Sequence, residues 1–200
     1  MFPLGSVLLP HQLLPLHVFE PRYRALVADC LAADAAFGVV LIERGSEVGG
    51  GDSRFDVGCR ARIVRAEETP DGRWGLLCVG VDRFRVTSWL PDDPYPRAEV
   101  EDLDDGEWTA DAGVAMEMAC AALGRVAELA TRLGGTVDPG ILELPGPETV
   151  DQWMLAARAP VTDLDKLALL AAETPERRLD LLTTELAAVA EVLASRLAGG

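Results

Sequence analysis

Residues 55–67 read FDVGCRARIVRAE, and the way they alternate decides the first half of the chain. Val57, Cys59, Ala61, Ile63 and then Arg65 share one parity, while Gly58, Arg60, Arg62 and Val64 take the other. A period of two marks a strand with one face packed and one wet. Pro70-Asp71-Gly72 follows as a tight turn, proline setting the first corner and glycine tolerating the second. Residues 74–90 then form one long strand, or two joined at Gly80, with Phe84 and Val86 set against Arg83 and Arg85. Upstream, FGVVLIE at 37–43 has the length and β-branched content of a buried strand, and the glycines within 47–54 mark a loop. Residues 2–9 read as a short strand closed by Pro10, and Pro15 keeps 13–19 extended. Downstream, 98–103 is a strand that could close the sheet. One helix interrupts the series. Pro21 suits a first helical position, and Tyr23, Leu26, Val27, Cys30 and Leu31 recur at helical spacing. Strands joined by hairpins rather than by regular helices point to a small closed or partly closed barrel, not a doubly wound sheet.

The period changes after residues 99–107, a stretch with six acids in nine positions. Thr109 is placed to cap a helix whose face is Met116, Ala119, Leu123, Val126, Ala130 and Leu133, and Gly134-Gly135 stops it. Proline and glycine break up 139–147. A short helix over 148–157 would bury Trp153 and Met154, and Thr162 would cap another with Leu164, Leu167 and Leu170 inside. Pro175 opens the clearest helix, with Leu179, Leu182, Leu186, Val189, Leu193 and Leu197 down one face. The expectation is an α+β chain: a β-barrel domain over 1–104, an all-helical bundle over 105–197, a disordered tail at 198–200, and a cleft where the two domains meet.

Composition narrows the functions open to such a chain. The net charge is −15. Residues 1–98 hold 11 arginines against 13 acids, and residues 99–200 hold 7 basic residues against 20 acids. The acidic half would repel a phosphate backbone, so nucleic acid is not the expected partner. No apolar run approaches the roughly 20 residues a membrane span needs. The opening MFPLGSVLLP lacks the basic residues and cleavage site of a signal peptide. Cys30, Cys59, Cys78 and Cys120 form no close pair and sit in apolar segments, which fits reduced, buried thiols in a cytoplasmic protein. His11 and His17 cannot assemble a metal site, and no serine stands in a nucleophile elbow. The glycine-rich run 45–51 lacks the lysine of a phosphate loop. The expectation is therefore no catalysis, no metal and no cofactor. Arg60, Arg62, Arg65 and Arg85 are the candidate ligand contacts. They stand either on the wet face of a packed sheet or in a groove where rigid guanidinium forks meet an acidic or backbone-rich ligand.

A family resemblance adds to this reading. Phe2-Pro3-Leu4 and then PLHVFEPRYR at 15–24 closely resemble the opening of the substrate-binding N-terminal domain of Lon proteases. The resemblance continues through FGVVLI at 37–42, VGCRARI at 57–63 and GVDRFRV at 80–86, and through 166–182 in the helical half. It implies a PUA-like β-barrel followed by a helical bundle, and a bacterial origin. It also makes Pro15, His17, Phe19, Glu20, Pro21, Arg22, Tyr23, Arg24, Gly80, Arg83 and Phe84 a mainly structural signature. Phe19 and Tyr23 would then be core, and Glu20 would pair with Arg24 or a sheet arginine. Lon proteases continue into an ATPase module and a Ser-Lys peptidase domain, which these 200 residues do not contain. The resemblance thus implies a stand-alone module that binds unfolded or partly folded polypeptide, alone or beside a protease or chaperone. The alternatives are an RNA-binding PUA-like protein and a hydrolase with an unrecognised site. Exposed apolar or arginine side chains near the sheet edge and the 45–54 loop are where contacts are expected.

Overall fold

A computed structural model describes residues 1–135 and 151–199. The chain divides into two compact units, Met1–Asp104 and Asp105–Gly200. In the first unit the strands are β1 (Phe2–Leu4), β2 (Leu13–Val18), β3 (Ala36–Arg44), β4 (Ser53–Glu68), β5 (Trp74–Leu90) and β6 (Arg97–Leu103). Helix α1 (Pro21–Ala32) lies between β2 and β3, with Pro21 in its first turn. The sheet runs in the order β1-β3-β4-β5-β2, and β6 also pairs with β5. Only β1 with β3 is parallel; the other pairs are antiparallel.

The alternation of 55–67 gives Cys59, Ala61 and Ile63 to the core. Arg65 does not follow them. A register shift between Ile63 and Arg65 inserts one residue, and the strand's parity reverses there. The expected two-strand alternative for 74–90 resolves into one strand whose first half pairs with β2 and whose second half pairs with β6. Gly80 sits at the change-over. A Cβ at that position would lie 2.2 Å from the Leu9 carbonyl oxygen, so the chain approaches closer than any side chain permits.

Of the closed or partly closed barrel expected, the closed form is not what the strands make. The first strand stops at Leu4 instead of running to residue 9, and no pairing among the described residues joins β1 to β2. The sheet is therefore an open, mixed one whose two ends are the short β1 and the proline-containing β2. Its core packs Phe2, Val27, Phe37, Val39, Cys59 and Cys78 beneath α1, with Phe2 stacked on Tyr23 at 4.2 Å between ring centroids.

The second unit is helical: α2 (Ala110–Arg132), α3 (Gln152–Arg158), α4 (Asp163–Ala171) and α5 (Pro175–Gly199). Thr109 caps α2 by accepting from Ala112 N, and Thr162 forms a capping box with Asp165 on α4. On α2 the buried face is Ala112, Ala115, Met116, Ala119, Leu123 and Val126, which packs along α5. Three expectations fail at the edges of this bundle. Met154 and Leu164 are exposed, not buried, because Trp153 and Leu155 take the inward positions of α3, and Leu169 and Leu170 those of α4. Leu133 is exposed too, lying past the end of α2. Helix α5 continues through Ala198 and Gly199, so that part of the expected tail is helical. The proline-broken 139–147 and the start of the 148–157 helix lie outside the described residues.

Inside the bundle one cation replaces the apolar packing that α5 uses elsewhere. Arg178 is 1% exposed. It donates to the Leu169 carbonyl at 3.3 Å, the Ala172 carbonyl at 3.0 Å and Gln152 Oε1 at 2.7 Å, and stacks over Trp153 at 4.2 Å. Those carbonyls belong to the end of α4, where helical acceptors lack helical partners. Arg178 thus ties three helices together.

Candidate functional site

The open ends of the sheet flank a cavity of about 180 Å³. Phe2 and Leu4 of β1 line one side and residues 15–18 of β2 the other, with buried Tyr23 in the wall and the more exposed Phe19, Glu20, Glu47 and Val48 completing the lining. Both faces of β2 contribute to this lining. Leu14, Leu16 and Val18 turn inward, while Leu13, Pro15 and His17 are exposed. Two large apolar side chains of the lining remain in solvent, Phe19 at 54% and Val48 at 55% exposure, and Leu13 at the start of β2 is 61% exposed. Single exposed apolar residues are ordinary, but two lining one cavity, with a third on the strand that borders it, set this surface apart.

Most of the signature residues surround this opening, in roles that differ from those expected. Tyr23 is core, as its helical position demands. Phe19 is not: it precedes Pro21 on an extended link and projects outward. Glu20 takes the N-cap position of α1 and pairs with Arg22 at 3.2 Å, not with Arg24. Arg22 also stacks on Tyr23 at 4.4 Å and donates to the Glu47 carbonyl at 3.4 Å. Arg24 lies against the 70–72 turn, next to Gly72. Gly80, Arg83 and Phe84 are elsewhere in the sheet. Arg83, expected on the wet face, is buried and donates to the Asp104 carbonyl, and Phe84 packs with Val40 and Val86.

The loop that borders the cavity is held at its base. Arg54 bonds Asp52 at 2.5 Å, stands 3.5 Å from Asp92 and covers the Trp89 ring at 4.9 Å. Burial would raise the Asp52 carboxyl, but the bond and charge from Arg54 outweigh it and hold the group below the usual carboxylate range. Gly5 N donates to Glu47 Oε1 at 2.5 Å, joining the loop to the chain after β1.

The four candidate arginines are not part of this opening. Arg60 donates to Asp82 at 3.2 Å and Asp102 at 2.7 Å, and Arg65 pairs with Glu67. Arg62 is exposed on β4, and Arg85 faces Glu101 across β5 and β6. Acids neutralise much of the stripe, so it offers little positive charge to a ligand. Burial raises the Cys30 and Cys78 thiols, Cys78 to about 11, which removes them as thiolates near neutral pH. Among the described residues no group of three or more His, Cys, Asp or Glu is placed to hold a metal ion. Nor is any helix there long and apolar enough to cross a membrane.

The cavity went unread in the sequence because it depends on two strand ends that meet only in the fold. Its signal was the phase of 13–18, whose even positions are apolar and whose odd positions include Pro15 and His17.

The profile of the ATP-dependent protease La (LON) substrate-binding domain matches residues 1–188. The chain belongs to this family. Among Lon-family relatives, Lon protease 2 of Myxococcus xanthus is 32% identical over 102 residues, 50% of this chain and 12% of that protein. Lon protease 2 of Herpetosiphon aurantiacus is 25% identical over 193 residues, 95% of this chain and 23% of its own length. The chain therefore spans a small part of the Lon proteases it matches. A crystal structure of a Lon N-terminal domain protein from Xanthomonas campestris superposes with a TM-score of 0.61 at 30% identity, covering 92% of this chain and 95% of that one. The N-terminal domain of Mycobacterium avium complex Lon protease shares the fold, with a TM-score of 0.63 at 17% identity over 92% and 96% of the two chains. Membership supports a substrate-recognition module.

Proposed function

We propose that this Lon-family chain is a non-catalytic module that recognises unfolded or partly folded polypeptide and presents it to a protease or chaperone. The observation behind this reading is the cavity between β1 and β2, lined by the family's signature stretch and bordered by exposed Phe19 and Val48. At about 180 Å³ it is smaller than the roughly 300–1,000 Å³ pockets that hold cofactors and small molecules. It suits a protruding side chain. The raised thiols, and arginines bound by carboxylates, favour neither hydrolysis nor phosphate binding. On this reading the sheet is a PUA-like barrel left open between β1 and β2, and the four free, mostly buried cysteines fit a reducing compartment such as the cytoplasm. Titration of the protein into fluorescently labelled casein, an unfolded chain, tests the proposal by anisotropy. Saturable binding at micromolar concentration is expected; none even at high micromolar concentration refutes it.

A further inference from the structure

We infer that the bound segment adds to the open edge of β2 as an extended strand, seating one apolar side chain in the β1–β2 cavity with a basic residue beside it. This deepens the polypeptide-recognition reading and rests on it.

The hydrogen-bond phase of β2 shows which backbone groups face the edge. At its start, Gly80 N donates to the Gln12 carbonyl at 2.9 Å and His11 N donates to the Gly80 carbonyl at 2.9 Å. The register then sets Leu14 opposite Cys78, Leu16 opposite Leu76 and Val18 opposite Trp74. Antiparallel ladders alternate bonded and non-bonded pairs, so the even residues exchange bonds with β5. The backbone groups of Leu13, Pro15 and His17 consequently point away from β5, along the open edge. Pro15 falls where a missing N–H costs the sheet nothing. The edge still presents two donors, from Leu13 and His17, and three carbonyl acceptors. Donors and acceptors at that spacing match the backbone of another extended polypeptide.

The side chains and charges specify the occupant further. An added strand alternates its side chains, so one points toward the cavity walls of Phe2, Leu4, Val18 and Tyr23. Glu20 and Glu47 line the cavity, no lysine or arginine is among its lining residues, and the one charge of neighbouring Arg22 is paired with the Glu20 carboxylate, leaving net negative charge there. A lysine or arginine near the anchoring residue satisfies it. A second copy of this chain fits poorly. Symmetric β2–β2 pairing would set Pro15 against Pro15, losing both central bonds, and would join two chains of charge −15.

The test uses the full chain and a fluorescein-labelled peptide, Gly-Ser-Lys-Val-Leu-Val-Lys-Ser-Gly, with two derivatives N-methylated on complementary alternate amides. Strand addition predicts that one derivative loses binding about tenfold or more while the other stays near the parent, because only one set of amides faces β2. His17→Pro, which deletes an edge donor, should weaken the parent peptide about threefold to tenfold without changing the circular dichroism spectrum. Equal binding of both derivatives and the parent overturns the inference. So does casein binding that the peptide cannot displace, although polypeptide recognition itself would then stand. If neither casein nor peptide binds, the recognition reading fails. Self-association of the free protein that His17→Pro abolishes would assign the edge to a second copy and overturn the inference as well.

Discussion

At the scale of single residues, two buried ion contacts, one built on a cation and one on a carboxylate, each carry a stability prediction. Arg178 is enclosed by carbonyls and Gln152, with Asp105 Oδ1 3.8 Å away. Arg178→Ala would strand these acceptors without solvent, so it should cost about 3–5 kcal/mol in urea melts. Arg178→Lys should recover little, because a point charge cannot serve three acceptors and stack on Trp153 as well. Asp52 is the acidic counterpart, its side chain 1% exposed beside Arg54. Its folded-state carboxyl titrates below the unfolded value of about 3.9, so its stabilisation is complete above that pH and is lost as pH falls through the folded value. Asp52→Asn should therefore lose about 1–3 kcal/mol at pH 7, and the gap to wild type should close as the melts are taken below about pH 4. A gap that persists in acid would show that packing, not charge, holds the loop. Neither residue was readable in advance: a charged side chain looks solvated in sequence until the fold supplies the acceptors that bury it.

Elements show where sequence reading succeeds and why it stops. Strong periods survived into the structure: Cys59, Ala61 and Ile63 on β4, and Leu179, Leu182 and Leu186 on α5 are all buried. What failed were phase breaks and ends. The bulge that exposes Arg65 has no residue signature, and Arg83 is buried because its guanidinium finds the Asp104 carbonyl beyond β6. The family resemblance puts Phe19 in the core, but its place on the link before α1 turns it outward. Helix α5 gives the sharpest test of periodic reading. Leu182→Ala and Leu186→Ala should each cost about 2–5 kcal/mol, since both side chains are fully enclosed. Glu185, between them in sequence, is half-buried beside Val161 and Asp165. Another carboxylate lies in that same groove, so Glu185→Ala should still change stability by under about 0.5 kcal/mol in denaturant melts. If Glu185→Ala costs as much as Leu182→Ala, the helix buries a different face.

For the whole molecule, charge decides which chains can approach. The net charge of −15 over 200 residues sets up a field that acts before any contact in the β1–β2 cavity forms. Only one lysine and 17 arginines oppose 33 acids, and Arg54, Arg60, Arg65 and Arg73 are already paired with carboxylates. A basic unfolded chain should therefore be drawn in and an acidic one held off, even if both offer the same apolar anchors. Reduced, alkylated lysozyme is a basic probe and casein an acidic one. At low salt the first should bind this chain the more tightly, by a margin set largely in the association rate. Screening shortens from about 30 Å at 0.01 M to about 3 Å at 1 M, so the margin should shrink across that range. What remains at high salt measures the cavity and strand edge alone, and there Phe19→Ser should weaken both probes alike. Equal affinities at low salt, in stopped-flow and equilibrium titrations, would mean that the acid serves solubility and plays no part in choosing the client.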